Sequence, residues 1–208
     1  MREEVCKTPV SRYNQAYFDK WYRNPKHRVS TPASTLRKAT LAVAMAEYYL
    51  ERPIRTVLDI GCGEGQWQPI LKKLRTKVSY LGVDPSEYAI QRHGKRRNLI
   101  QGSFTDLSTL PLEPAYDLVI CSDLLYYLPQ KDLVQGFAAL AALVEGVAFL
   151  EAYPTTISLR GDAKKLQPRT AAFYRRLFRK HGLVSCGSHC YVGPPLAGCV
   201  TPLERGAP

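Results

Sequence analysis

Three glycines at alternate positions, Gly61, Gly63 and Gly65, follow a short apolar run, and a carboxylate, Asp59, stands two residues before the first of them. Glycine in such a loop lets the backbone turn sharply and approach a ligand closely, where any Cβ would collide. A second carboxylate, Asp84, ends the next apolar run 19 residues after Gly65. From such a place an acidic side chain accepts hydrogen bonds from the vicinal hydroxyls of a ribose. Together these residues describe an adenosine pocket. A dinucleotide pocket makes the same two demands but reads G-x-G-x-x-G, so that a pyrophosphate sits on the helix N-terminus. Here the loop is Gly61-Cys62-Gly63-Glu64-Gly65, and Asp59 and Glu64 put negative charge where a pyrophosphate would be repelled. Asp59 suits a cation.

The elements that position these residues alternate along the chain. Thr56–Ile60, Val78–Val83, Asn98–Gln101, Tyr116–Cys121 and Val147–Glu151 read as strands, being short, branched and apolar with turn residues at their ends. Between them the spacing predicts helices over Ser34–Leu50, with Ser34 as N-cap, and over Glu64–Arg75, Glu87–His93 and Asp132–Val144. A further amphipathic helix opens at Pro168 and is closed by Gly182; beyond it Leu183–Val192, a Gly193-Pro194-Pro195 turn and Leu196–Leu203 read as a terminal hairpin. Strands alternating with helices give a mainly parallel sheet covered on both faces. Such sheets bind ligands beyond the carboxyl ends of their strands, where strand order reverses.

Length and composition agree. A chain of 208 residues with 45% apolar and 23% charged side chains is the size and make-up of one ordinary domain. With no long apolar run and no apolar stretch behind the charged N-terminus, neither a membrane span nor a secretory signal is expected, and the cytoplasm is the expected location. Six scattered cysteines without a C-x-x-C pair read as reduced thiols, and no histidine spacing suggests a metal site. The net charge of +11 invites an anionic partner, yet residues 101–150 carry one basic and six acidic side chains. The dense clusters, Lys95-Arg96-Arg97 and Arg175-Arg176 with Arg179-Lys180, also suit solvated helix faces.

Val57-Leu58-Asp59-Ile60-Gly61-Cys62-Gly63-Glu64-Gly65 resembles motif I of the class I S-adenosylmethionine-dependent methyltransferases. Leu81–Ser86 resembles their acidic ribose motif, Gln101–Leu107 their adenine motif, and Tyr116–Leu128 the strand and loop facing the reacting methyl. The four motifs run in order from about residue 55 to 151, and the likeness leans towards small bacterial enzymes of the nodulation type, which act on small metabolites. The resemblance implies a Rossmann-like, doubly wound seven-stranded sheet, mainly parallel with a C-terminal antiparallel hairpin, and S-adenosyl-L-methionine as cofactor with S-adenosyl-L-homocysteine as product. It implies that Asp59, Gly61, Cys62 and Gly63 hold the methionine end, that Asp84 takes the ribose hydroxyls, and that Pro85, Ser103 and Phe104 border the adenine, with Asp106 or a carbonyl reading its amine. Cys121 and the Ser122-Asp123 turn would border the methyl group.

Asp123, Tyr126 and Glu151 are the candidate catalytic residues, each with a structural alternative: turn former, packing aromatic and strand-end carboxylate. Tyr13 and Tyr17, in an aromatic segment with Phe18 and Trp21 at helical spacing, are candidate substrate contacts together with Tyr126 and Glu151. The expected organisation is one domain over 1–208, with 1–30 as an aromatic lid and 31–208 as the cofactor-binding core. A small-molecule acceptor whose N, O or S attacks the sulfonium methyl leads; RNA or protein as acceptor, and a non-catalytic nucleotide binder, stand as alternatives.

Overall fold

The computed structural model describes residues 13–154 and 166–200. Six helices, α1 (Gln15–Phe18), α2 (Pro32–Leu50), α3 (Trp67–Leu74), α4 (Glu87–Arg97), α5 (Gln130–Ala142) and α6 (Ala171–Lys180), accompany seven strands. The strands are β1 (Thr56–Ile60), β2 (Ser79–Asp84), β3 (Leu99–Gln101), β4 (Tyr116–Cys121), β5 (Val144–Leu150), β6 (Val184–Gly187) and β7 (Cys190–Val192).

Local chemistry sets the helix ends. The Thr31 hydroxyl accepts the Ser34 N–H at 3.1 Å while the Ser34 hydroxyl accepts the Thr31 N–H at 2.8 Å, a reciprocal capping box that starts α2. Ser34, the cap expected from sequence, is therefore the cap's partner one turn inside. Ser86 caps α4, its hydroxyl accepting the Ala89 N–H at 3.1 Å. That helix runs past His93 because Gly94 serves packing rather than termination: a Cβ there would lie 3.3 Å from the Leu99 carbonyl oxygen. Asn98, at φ 55°, ends it. α3 starts three residues after the expected Glu64, with Pro69 in its first turn.

The strands form one sheet in the order β3-β2-β1-β4-β5-β7-β6. The first five are parallel; β7 runs antiparallel to both β5 and β6. Strand order reverses between β1 and β4, so the crevice lies above their carboxyl ends. The hairpin is placed differently from the sequence expectation. Its turn is Ser188-His189, both at positive φ (48° and 65°), the backbone of a primed hairpin turn. Gly193-Pro194-Pro195 instead leads into a 3-10 turn over Pro194–Cys199, and the end of the expected second strand lies outside the described residues.

Two apolar layers sandwich the sheet, as strand alternation requires. Val57, Leu118, Ile120 and Phe149 face α2 and α3, whose Ala42, Ala46 and Leu71 are fully buried. Leu58, Val119 and Leu150 face α5 and α6, where Phe137 stacks on Phe178 with ring centroids 5.0 Å apart. At the opposite edge from the crevice, Asp117 takes a two-pronged contact from Arg52 at 2.7 and 2.9 Å. Lys95-Arg96-Arg97 and Arg179-Lys180 occupy the last turns of α4 and α6, where cations oppose the negative end of the helix dipole. No helix among the described residues is long and apolar enough to cross a membrane.

Candidate active site

β1 delivers Asp59, β2 Asp84, the turn after β4 Ser122 and Asp123, and the end of β5 Glu151. The glycine loop between β1 and α3 holds φ values of 73° at Gly61, 54° at Gly63 and 69° at Gly65, the left-handed region that glycine enters without strain. A Cβ on Gly61 would lie 2.7 Å from Leu124 Cδ2, and one on Gly63 3.1 Å from Phe18 Cε1. The loop is therefore pressed from two sides, by the segment after β4 and by the N-terminal aromatic segment. Asp84 fastens it: one carboxylate oxygen accepts the Gly63 N–H at 2.7 Å and the other the Ser86 N–H at 2.9 Å.

Above the loop lie two adjoining cavities. The first is lined by Gly63, Val83, Asp84, Pro85, Gly102, Ser103 and Phe104 from the sheet side, and by Tyr13, Tyr17, Phe18 and Tyr22 from the N-terminal segment. The second is polar, lined among others by Lys38, Asp59, Cys62, Glu64, Ser122, Tyr126, Glu151 and Tyr153. Tyr22, Gly61 and Asp123 border both.

The N-terminal segment closes the first cavity as a cap. The Ser86 hydroxyl donates to the Tyr13 carbonyl at 2.5 Å, Phe18 is 2% exposed and stacks near Tyr88, and Arg23 pairs with Glu64 of the glycine loop. After α1 the chain makes a wider π turn over Asp19–Arg23. That extra residue per turn carries Trp21 outward, where Lys20 lies over its ring at 4.5 Å, and brings Tyr22 to the cleft. Regular helical spacing pointed to Trp21, so Tyr22 was not legible as a site residue.

The cleft's acids divide by environment. Burial outweighs a 2.7 Å hydrogen bond from Tyr80 and pushes Asp59 up to about 7. Burial, then repulsion from Glu151, pushes Asp123 up to about 7 as well; the Tyr126 hydroxyl donates to it. Asp123 also holds φ 60°, a backbone region where a non-glycine residue stores strain and which clusters at functional sites. Glu151 is different. Burial pushes it up, but Lys38 at 2.8 Å, together with donors from Ser122 and Tyr153, holds it below the usual carboxylate range. Burial, then the charge of Asp123, raises the Tyr22 phenol, so it remains a hydrogen-bond donor.

Most expected site residues converge here. Asp59, Cys62, Tyr126 and Glu151 line the polar cavity; Gly63, Asp84, Pro85, Ser103, Phe104, Tyr13 and Tyr17 line the other. Two expectations are corrected. Cys121 is fully buried, because strand alternation turns it into the layer under α5 and α6 rather than to the cleft. Asp106 caps its own turn, accepting the Ser103 N–H at 2.9 Å and hydroxyl at 2.8 Å, and does not line the cleft. Lys38 and Tyr153 were not foreseen, since they come from a helix flank and a loop without motif spacing.

Comparison with known proteins accords with this geometry. The family described as a methyltransferase domain matches residues 57–146. A comparison with curated protein sequences finds no match. Among solved structures, the magnesium protoporphyrin IX methyltransferase of Synechocystis PCC 6803 with bound S-adenosylhomocysteine superposes with a TM-score of 0.58 at 19% identity, over 87% of this chain and 96% of that one. An amino pentose methyltransferase of calicheamicin biosynthesis from Micromonospora echinaspora gives 0.59 at 17% identity over 76% and 90%. A SAM-dependent methyltransferase from Archaeoglobus fulgidus gives 0.53 at 22% identity over 70% and 69%. The domain match sets aside a non-catalytic nucleotide binder. With the glycine loop, the strand-end carboxylates and the 3-2-1-4-5-7-6 sheet all in place, the chain carries a class I S-adenosylmethionine-dependent methyltransferase domain, matched over residues 57–146.

Proposed function

We propose that the chain methylates an N, O or S nucleophile of a small-molecule acceptor, within one domain whose residues 1–30 contribute a lid. The observation that carries this reading is the meeting of two cavities at Tyr22, Gly61 and Asp123, one suited to the cofactor's adenosine and the other to its methionine end on the Asp59 side and to an acceptor on the Glu151 side. The residues fit S-adenosylmethionine. Pro85 and Phe104 would flank its adenine and Asp84 would hold its ribose, beside a loop whose missing side chains leave the approach open. Asp59 and Asp123 would hold its ammonium and sulfonium, whose positive charge would offset their buried carboxylates. When bound, it supplies a methyl group on a sulfonium, an excellent leaving group for in-line displacement.

The chain's own residues then mainly align and exclude water. The cap residues Tyr17, Phe18 and Tyr22 seal the cofactor side, which strengthens charge interactions within, and the fixed meeting point holds donor and acceptor in line. Asp123 is the general base for acceptors that carry a proton, being placed at the meeting point with a pKa near neutrality. Tyr126 orients it. Glu151, ion-paired and weakly basic, positions Ser122, Lys38 and Tyr153 rather than taking a proton.

The magnesium protoporphyrin and amino pentose enzymes act on small molecules by their descriptions, which supports the same acceptor scale here. The basic clusters sit in the last turns of α4 and α6, where the helix dipoles account for them without an RNA partner. The cytoplasm, where Cys62, Cys121 and Cys190 stay reduced, is the compartment this reading implies. Incubation of the enzyme with methyl-labelled S-adenosylmethionine and host extract tests it. Label is expected in the small-molecule fraction; label in RNA or protein overturns the reading, and a steep salt dependence would accompany a polyanion.

A further inference from the structure

We propose, resting on the small-molecule reading above, that the acceptor is an amine taken up as its ammonium ion. Beyond the Asp59 side of the polar cavity, which suits the cofactor's methionine end, the wall left for the acceptor carries the carboxylates of Asp123 and Glu151 and the rings of Tyr22, Tyr126 and Tyr153, and the one cationic side chain among the cavity's described lining residues, Lys38, is already held against Glu151.

Each ligand charge meets this wall differently. A carboxylate or phosphate acceptor would face Asp123 beside Glu151 with Lys38 already paired, which is costly in a site shielded from water. An ammonium gains from the same carboxylates and from the faces of the tyrosine rings, whose quadrupoles attract cations within about 6 Å of their centroids. Two of these rings adjoin, Tyr126 and Tyr153 lying 5.5 Å apart centroid to centroid.

The proton balance favours the same class. Transfer from R–NH3+ to the Asp123 carboxylate leaves a neutral amine and a neutral acid, and burial disfavours the charged forms. Transfer from an alcohol or phenol would leave a new anion beside Glu151. Once the ammonium has given its proton to Asp123, the nitrogen lone pair forms the N–C bond to the methyl. The C–S bond breaks with its electron pair remaining on sulfur, yielding the methylated ammonium and the neutral thioether; Asp123 afterwards returns its proton to solvent. Besides burial, Glu151 from the end of β5 and Lys38 from α2 bias Asp123's titration; Tyr17 and Tyr22 from the cap and Tyr126 and Tyr127 from its own loop also face it. Asp59 from β1 lines the same cavity, and Tyr153, with His189 5.2 Å away, completes the set.

The test has a binding arm that needs no turnover. With S-adenosylhomocysteine present, benzylammonium, benzyl alcohol and benzoate are titrated onto the full chain by calorimetry or ligand-observed NMR. Benzylammonium is expected to bind at least about tenfold more tightly than either isostere, a preference that shrinks about tenfold in Asp123→Asn and Glu151→Gln. Equal binding of the three, a benzoate preference, or binding of none overturns the proposal, and the wild-type comparison stands even if a variant fails to fold. In the labelling arm, products are passed over cation exchanger and treated with base. Retained, base-stable label is the expected result. Label in an anionic or neutral small molecule, or as a base-labile ester, overturns the amine assignment while sparing the small-molecule reading. Label in RNA or protein overturns both.

Discussion

Asp84→Ala separates two tasks that one carboxylate performs. In the structure its oxygens accept the Gly63 and Ser86 N–H groups at 2.7 and 2.9 Å, and the side chain is 7% exposed at the rim of the cofactor cavity. Truncation orphans both donors. At about 1–3 kcal/mol per buried unsatisfied group, reduced because the adjoining cleft admits water, the ligand-free protein should lose about 2 kcal/mol. For a chain of this size that is a fall of about 4–8 °C in Tm. The cofactor loses in addition the charge-assisted hydrogen bonds from its ribose, about 1.5–3 kcal/mol, or about 10- to 150-fold in Kd. Asp84→Asn keeps one acceptor oxygen, so it should recover about half of the stability loss and less of the affinity. Calorimetric titration with S-adenosylmethionine, alongside urea unfolding of each variant, measures the two quantities separately. An unchanged Kd in Asp84→Ala would refute the ribose assignment. A lost affinity with unchanged stability would refute the reasoning about the glycine loop.

Other expectations follow from the same cleft. Asp59 stands near pH 7 in the folded chain against an ordinary value of 3.8, so its contribution to stability is present below about pH 4 and lost as pH rises through 7. Asp59→Asn should raise the Tm of the ligand-free chain more at pH 8 than at pH 5, and binding of the cationic cofactor to the wild type near pH 7 should release protons, seen as a calorimetric heat that changes with buffer ionisation enthalpy. Equal heats in phosphate and Tris would contradict this. Gly61→Ala forces a side chain into φ 73° and to within 2.7 Å of Leu124; a loss of about 1–3 kcal/mol in stability is expected by chemical denaturation, with weakened cofactor binding. Removal of residues 1–30 should abolish turnover and weaken cofactor binding while circular dichroism stays native, and full activity in the truncated chain would dismiss the cap. Arg23→Ala breaks a pair in which the arginine is 42% exposed, so stability should change by less than about 1 kcal/mol while the cofactor KM rises.

What could be read ahead of the structure was what local rules dictate. Asp59, Asp84 and the glycines are tied to strand ends by short-range spacing, and so were the five parallel strands and the helices between them. Elements whose geometry departs from the common pattern were misread. Ser188-His189 makes a tight hairpin turn without the Asn-Gly or Asp-Gly signature, whereas Gly193-Pro194-Pro195 carries strong turn composition and leads into a 3-10 turn instead. The π turn at Asp19–Arg23 shifts the aromatic face from Trp21 to Tyr22 by a single residue. Lys38 reaches Glu151 across 113 positions of sequence, a pairing that only the packing of α2 over the sheet creates. Cys121 shows the converse: a residue within a motif-bearing strand whose side chain alternation sends away from the cleft.

The contact between Leu124 and Gly61 constrains how such an enzyme diversifies. Leu124 belongs to the loop after β4, the region nearest the acceptor, yet its side chain fills the space that a Cβ on Gly61 would need. A larger residue at 124 would push on the loop that receives the nucleotide, and a smaller one would leave it unsupported. Selection for a new acceptor therefore has little freedom at this position. Tyr153 lines the polar cavity without resting on the glycine loop or on Asp123, so libraries that redirect the enzyme to other acceptors should randomise this position and leave 124 and the base-orienting Tyr126 alone.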